Sequence, residues 1–411
     1  MARITKSFWH SIVLILVTAN VTEAQEAAQI NGADTAWILI SSALVMLMLP
    51  GLAFFYGGMV RRKNVLGTLM HSFVPLGVIT IQWVVIGYSL AFGPDIGKFV
   101  GNLDKAFLAG IDLNSVSGSI PELLFCTFQL MFAIITAALI SGGMAERVSF
   151  RAYVVFIFVW STLVYDPLCH WVWGGGWLGE LGALDFAGGT VVHISSGTAG
   201  LAAALMLRRR QGYPGPMMIP HNMPFVLLGA GLLWFGWFGF NAGSALAADQ
   251  SAALAFINTQ VATGAGMLGW MAMEYAKGGK ASALGAASGV VAGLVAITPA
   301  AGFVEPLWAI VLGLVAGMVC YLAVLGKLKS GYDDSLDVFG IHAVGGAWGA
   351  LATGLFVTVG GTGLLNGNVN QVWIQMVGIA AAALYSFVVT LGIVWVIDKT
   401  LGFRVDGDEE E

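Results

Sequence analysis

The chain has 411 residues, 58% of them hydrophobic, with 18 Lys+Arg and 23 Asp+Glu. A charged share of 10%, against roughly 25% in an ordinary soluble domain, cannot supply a water-facing shell. This excludes a cytosolic enzyme, a nucleic-acid binder and a disordered chain, and leaves a polytopic α-helical membrane protein. The net charge of −5 says little, because five acids sit in the last six residues, Asp406 to Glu411.

Residues 1–24 read as an export signal: Arg3 and Lys6 form a basic start, Ser11–Val17 an apolar run, and Thr22 and Ala24 a small-residue cleavage site. An uncleaved first helix is the alternative. Residues 25–400 then form the membrane domain, and 401–411 a short acidic tail. Apolar stretches follow at 36–59, 66–92, 121–144, 152–170, 190–207, 224–243, 252–275, 282–298, 305–325, 338–358 and 372–397. A span needs about 20 residues, so the fold class is an all-α membrane protein of eleven transmembrane helices.

The basic residues decide the topology. Arg61, Arg62 and Lys63 fill the first gap, Arg147 and Arg151 the third, and Arg208, Arg209 and Arg210 the fifth. Lys277 and Lys280 fill the seventh, Lys327 and Lys329 the ninth, and Lys399 and Arg404 the tail. The even gaps hold only Lys98 and Lys105. The positive-inside rule puts the odd gaps and the C-terminus in the cytoplasm and the mature N-terminus outside. The pairs Gly289/Gly293, Gly313/Gly317 and Gly345/Gly349 predict close helix–helix approach. Cys126, Cys169 and Cys320 have no metal or redox spacing and read as small core residues.

An internal echo joins two stretches. Asp185 precedes His193 by eight positions at the start of the fifth span, and Asp334 precedes His342 by eight at the start of the tenth. Five spans separate the copies, so they run through the membrane in opposite senses. That is the mark of an inverted repeat, with its site near the midplane between the copies. Each His lies about two turns inward from its Asp, so the two rings are expected to meet. Ionisable residues within spans are costly and usually functional. A symmetric neutral pair would line a narrow polar path, while two core histidines bonded to carbonyls is the plainer reading. Asp185, and Asp334 or Asp337 opposite it, fit a role accepting N–H bonds from a first helical turn.

Aromatics are the other theme. Trp173 precedes Gly174–Gly176, Phe128 and Phe132 share a helix face, and Gly236–Ser244 carries Trp237, Phe238 and Phe240. Their ring faces attract cations, although an interfacial belt accounts for most tryptophans.

At this point the residues resemble a family. The run from Asp185 through His193 to Gly200, ending in Arg208–Arg210, is similar to the signature segment of Amt/Mep/Rh ammonium transporters. Phe54–Gly58 with Lys63 and Asn64, Trp173–Gly176, Gly236–Ser244 and Asp337–His342 resemble further family motifs in the same order. The resemblance covers about residues 35–405, and Trp173 with Phe132 and Phe240 points to the Amt branch. It implies two inverted five-helix repeats plus a final helix, assembled as a homotrimer with a pore in each subunit. Carried over, Trp173, Phe132 and Ser244 look like the ammonium-recruiting site, and Phe132 and Phe240 like the rings closing the pore. Phe128 and Trp237 look like pore-mouth support, His193 and His342 like the pore histidines, and Asp185 like the essential acid near the outer site. Asp334 and Asp337 are its cytoplasmic counterparts. The acidic tail departs from the family's cytoplasmic segment.

The implied function is selective ammonium uptake across a bacterial inner membrane. Ammonium binds outside, loses a proton, and crosses as ammonia past the histidines. A dry lumen penalises an intact cation far more than ammonia. No cofactor and no metal are implied. The lipid membrane and a PII-type regulatory protein at the cytoplasmic face are the implied partners, with no nucleic acid. An Rh-like ammonia/carbon dioxide channel and an ammonium sensor are the alternatives. No zinc-protease, nucleophile-elbow or P-loop pattern occurs, so an enzyme is not expected.

Overall fold

A computed structural model describes residues 29–215 and 219–410. The expected export signal, 1–24, lies outside the described residues. Each of the eleven apolar stretches coincides with a helix. Among the described residues, nine helices are long and apolar enough to cross a membrane: α1 (Gly32–Met59), α2 (Arg62–Phe92), α3 (Glu122–Met144), α4 (Phe150–Leu181), α5 (Gly189–Leu207), α6 (Met223–Gly243), α9 (Pro306–Ser330), α10 (Phe339–Phe356) and α11 (Val369–Leu401). Between α6 and α9 lie α7 (Gln250–Gly278) and α8 (Ala283–Ile297).

These two are weaker as spans for different reasons. α7 has 29 residues, but Asn258, Thr259 and Thr263 stand on its buried face. α8 has only 15 residues, about 22 Å at 1.5 Å per residue. The two defects meet: Asn258 Nδ2 donates to the carbonyls of Ala301 and Val304 at 2.8 and 2.7 Å. The polar face of α7 thereby satisfies the irregular backbone that continues α8, as backbone at membrane depth requires.

Helix starts follow side-chain chemistry. Asn31, Asn222, Asp249, Ser282 and Asn368 each accept a backbone N–H of the first turn. α1 lies along α6 because glycines remove the intervening side chains. A Cβ on Gly51 would come within 3.0 Å of Leu232, and one on Gly243 within 2.6 Å of Ser41. The predicted glycine pairs act likewise. Gly289 and Gly293 of α8 and Gly313 and Gly317 of α9 all lie against Ala262, Gly266 or Trp270 of α7, and Gly349 lies against Ala296 of α8. The three cysteines are free and buried.

The odd gaps do gather at one end of the bundle, the basic end. There Asp333 receives Arg147 Nη1 at 2.7 Å and Arg210 Nη2 at 2.8 Å, and Glu146 receives Arg210 Nη1 at 2.7 Å and Arg61 Nε at 3.1 Å. The tail is seated on this network. Phe403 is buried edge-on to Phe156, Val405 N–H donates to the Arg147 carbonyl, and Arg404 and Arg61 both reach Glu410.

Burial works to raise the Asp333 carboxyl, but the hydrogen bond and charge of Arg210, with the charge of Arg147, outweigh it and hold the carboxyl below its usual value. At Glu146 burial is likewise overcome, by Asn64, the Arg61 N–H and Arg210. A depressed carboxyl adds stability that is full above its unfolded value and lost as pH falls through its folded value. The melting temperature of the purified protein is therefore expected to fall on acidification below about pH 4.5. In Asp333→Asn that dependence should be shallower, as a thermal-unfolding series across pH 3–7 would show.

Candidate functional site

The first copy of the echo begins at Gly188, whose φ of +113° a side chain would adopt only with strain. The chain then enters a π-helical turn, Gly189–Ile194, that carries His193. Asp185 secures this turn: Oδ1 accepts from Gly188 and Gly189 at 2.9 and 2.6 Å, and Oδ2 from Thr190 and Val191 at 2.8 and 3.1 Å. The second copy enters its own π-helical turn, Phe339–Ala343, with His342 at the same place. Asp334 Oδ2 accepts one N–H there, from Phe339 at 2.7 Å. Asp337 instead sits at φ +62° and pairs with Lys327 at 2.5 Å. Of the two candidate counterparts, Asp334 is the cap and Asp337 is an ion-pair partner.

The turns bring the imidazoles together. His193 Nδ1 and His342 Nδ1 are 3.3 Å apart, and the ring planes differ by 26°. Two ring nitrogens in contact need one donor and one acceptor, so a single proton lies between them. The outward Nε2 atoms must then differ: one ring offers an N–H and the other a lone pair. His193 Nε2 is buried without a partner among the described residues.

Above the pair, on the side of Trp173, Phe132 and Phe240 stack with centroids 4.2 Å apart. They separate two spaces. One is a cavity of about 360 Å³ lined by Trp173, Phe132, Gln129, Phe92, Phe125 and Ser244 among others. The other is a lumen with room for about 10 Å³, lined by His193, His342, Trp237, Phe240, Phe55 and aliphatic side chains. That is near the minimum for one water-sized molecule. Beyond Phe55, a third space of about 210 Å³ contains Glu274 and Asp337. Phe132 lines the first space and Phe240 the second, and Phe55 lines both the second and the third.

The wide cavity has a defined polarity. Trp173 stands perpendicular to Phe132, with centroids 6.1 Å apart, and its Nε1 donates to the Asp185 carbonyl at 2.9 Å. Asp185 thus holds both the π-turn and the tryptophan, while its carboxylate is not among the cavity's lining groups. Ser244 Oγ donates its proton to the Phe240 carbonyl at 2.8 Å, leaving oxygen lone pairs for the cavity. Phe128 packs edge-on behind Phe132, and Trp237 stacks on His193 below the phenylalanine pair. Of the two residues read as mouth support, Trp237 lines the lumen and Phe128 packs on Phe132.

Gln129 and Phe55 are among the lining residues to which the sequence reading gave no role. Gln129, one helical turn before Phe132, lines the wide cavity with a buried Oε1 that lacks a partner among the described residues. Its position on the face of Phe128 and Phe132 was the available signal. Phe55 belonged to a quoted motif but had no assigned place; it closes the lumen at the far end.

A model of the Ammonium Transporter Family matches residues 36–411. The chain belongs to the ammonium transporter family. Transport of ammonium across a membrane is its function, and the apolar helices make it a multi-pass membrane protein. It is 50% identical to an ammonium transporter of Bacillus subtilis over 92% of this chain and 95% of that one. It is 51% identical to one of Aquifex aeolicus over 97% and 95%. The crystal structure of Saccharomyces cerevisiae Mep2 superposes with a TM-score of 0.88 at 39% identity, covering 93% of this chain and 91% of that one. A structure titled as a sensor Amt protein gives 0.86 at 28% identity, covering 92% and 96%. The family match extends through the tail, which packs on the basic end through Phe403, Val405 and Arg404.

Proposed function

We propose that this ammonium transporter takes ammonium from outside the cell at the Trp173 cavity, removes a proton, and passes ammonia along the His193–His342 lumen to the cytoplasm, with the proton following by a separate route that involves the histidine pair, so that each ammonium moves one net charge. In this reading all eleven helices span the membrane, as two inverted five-helix repeats and a final helix. The paired π-turns, each carrying its histidine after an Asp cap, support the repeat. The basic end, with residues from the first, third, fifth and ninth gaps and the tail, faces the cytoplasm. A homotrimer and a PII-type protein on the basic end belong to the same reading.

The observation that carries it is the change in chemistry across the Phe132–Phe240 pair. On the Trp173 side a cation finds ring faces, the Ser244 oxygen and the Gln129 oxygen. Ammonium can donate to two such acceptors while resting on an aromatic face. On the other side the lumen is narrow and apolar apart from the imidazoles, and no acid among the described residues lines it. A cation entering there loses its hydration with no counter-charge, whereas ammonia needs only a donor and an acceptor, which the shared-proton pair supplies. Potassium has no proton to give up and stops at the rings.

Trp173→Ala removes one face of the recruiting site. A partly open cation–π contact contributes roughly 1 kcal/mol, so the half-saturating ammonium concentration is expected to rise about fivefold. The maximal rate should fall less. Uptake measured across a concentration series checks this; an unchanged half-saturation would remove Trp173 from the recruiting site. The sensor alternative predicts no flux at all in the same assay.

A further inference from the structure

Trp173 is held at both ends. Its indole Nε1 donates to the Asp185 carbonyl at 2.9 Å. Its backbone is fixed by His170, a fully buried residue one turn earlier on α4. His170 Nδ1 lies 3.0 Å from the Ala91 carbonyl at the end of α2, and Nε2 lies 2.9 Å from Asp95 Oδ1. The His170 carbonyl accepts the Gly174 N–H at 3.0 Å and the Gly176 N–H at 2.9 Å. One residue therefore ties the turn that follows Trp173 to α2.

The glycines after Trp173 make this link possible. A Cβ on Gly174 would run into the Ala91 carbonyl and come within 2.7 Å of His170 Nδ1. One on Gly176 would come within 2.7 Å of the His170 carbonyl oxygen. A second observation comes from the other partner. Asp95 opens a short hairpin in which Asp95–Ile96 pairs antiparallel with Val100–Gly101. The Phe99 carbonyl of that hairpin accepts Trp171 Nε1 at 2.8 Å, and the Lys98 carbonyl accepts the Trp177 N–H at 3.1 Å. The hairpin thus grips α4 immediately before Trp173 and again just after the glycines.

We propose that His170 and Asp95 are positioning residues for ammonium recruitment, fixing the angle at which the Trp173 ring faces its cavity. Neither is among the groups lining that cavity, so each acts through the ring. A cation–π contact needs the cation over the ring face. A tilted Trp173 therefore costs affinity more than turnover. The inference rests on the recruiting role proposed above for Trp173.

The test is a concentration series of ammonium uptake with the reconstituted full-length protein, for wild type, H170A, W173A and the H170A/W173A pair. His170→Ala is expected to raise the half-saturating concentration about threefold, within the fivefold expected of Trp173→Ala. The pair should match W173A alone, because His170 acts through the ring that W173A removes. A merely structural role would instead lower the maximal rate in both backgrounds and leave half-saturation in place, which would overturn the inference. So would an H170A shift that persists undiminished beside W173A. Should His170→Ala fail to fold, the exposed Asp95 carries the same test. Asp95→Ala should raise half-saturation about twofold, and Asp95→Asn, which keeps an oxygen for the imidazole, should restore most of it. Equal losses in the two Asp95 variants, or none in D95A, would overturn the inference. Glu180→Gln frees Lys98 on the same surface and should leave half-saturation unchanged. A W173A protein with unchanged half-saturation would remove the recruiting site and this inference together, whereas a W173A shift without an H170A shift would remove the inference alone.

Discussion

Replacement of both His193 and His342 by leucine is expected to abolish ammonium-driven current or to end its selectivity over potassium, in a protein that still folds. The rings stack between Trp237 and each other in a lumen otherwise lined by apolar side chains. With both removed, ammonia crossing that stretch has no donor and no acceptor. An unpaired polar group in such surroundings costs at least about 2 kcal/mol, a loss of at least about thirtyfold in rate. Either single replacement breaks the Nδ1–Nδ1 contact and leaves the other ring free to choose its tautomer. Single variants should therefore keep more flux than the double variant. Currents from reconstituted wild-type, single and double variants decide this. A double variant with wild-type ammonium current and potassium rejection would show that the transported species does not depend on the pair.

Asp185→Ala is expected to cost stability before it costs chemistry. The carboxylate is the acceptor for four consecutive N–H groups at a buried helix start. Leaving a buried donor unpaired costs about 1–3 kcal/mol, so the variant should lose about 4 kcal/mol or more even with local relaxation. Asp185→Asn keeps one oxygen but turns an NH₂ towards N–H donors, and falls between the two. The same loop places the carbonyl that holds Trp173, so recruitment should weaken alongside the fold. Thermal unfolding of the purified variants together with their half-saturating ammonium concentrations measures both effects. An Asp185→Ala protein that melts with wild type but cannot transport would give the carboxylate a direct role in moving the proton instead.

The helices were legible because lipid imposes long apolar runs, and the sharing of one end by the odd gaps was legible because Lys and Arg alternate between gaps. α8 was legible as an apolar run, but not the way Asn258 of α7 satisfies the backbone that continues it, since that is a contact between helices. The histidine pair could be read from a matched Asp-to-His interval, which is a property of one dimension. The π-turns that aim the rings could not, because the same residues fit an ordinary α-turn. Gln129 was hidden for a similar reason: a single polar residue on an apolar helix does not declare whether it faces a neighbour or a cavity. The tail's acids suggested a departure from the family segment. Phe403 and Val405, which anchor it to Phe156 and the Arg147 backbone, are too ordinary in sequence to announce a docked strap.

The most direct test is the current produced when proteoliposomes of the wild-type protein are pulsed with ammonium and, separately, with potassium. A saturable current with ammonium and none with potassium is the predicted result, since only ammonium can shed a proton at the Phe132–Phe240 pair and still use the imidazoles. Comparable currents with both ions would contradict the account, because a path that passes potassium is not one closed to intact cations.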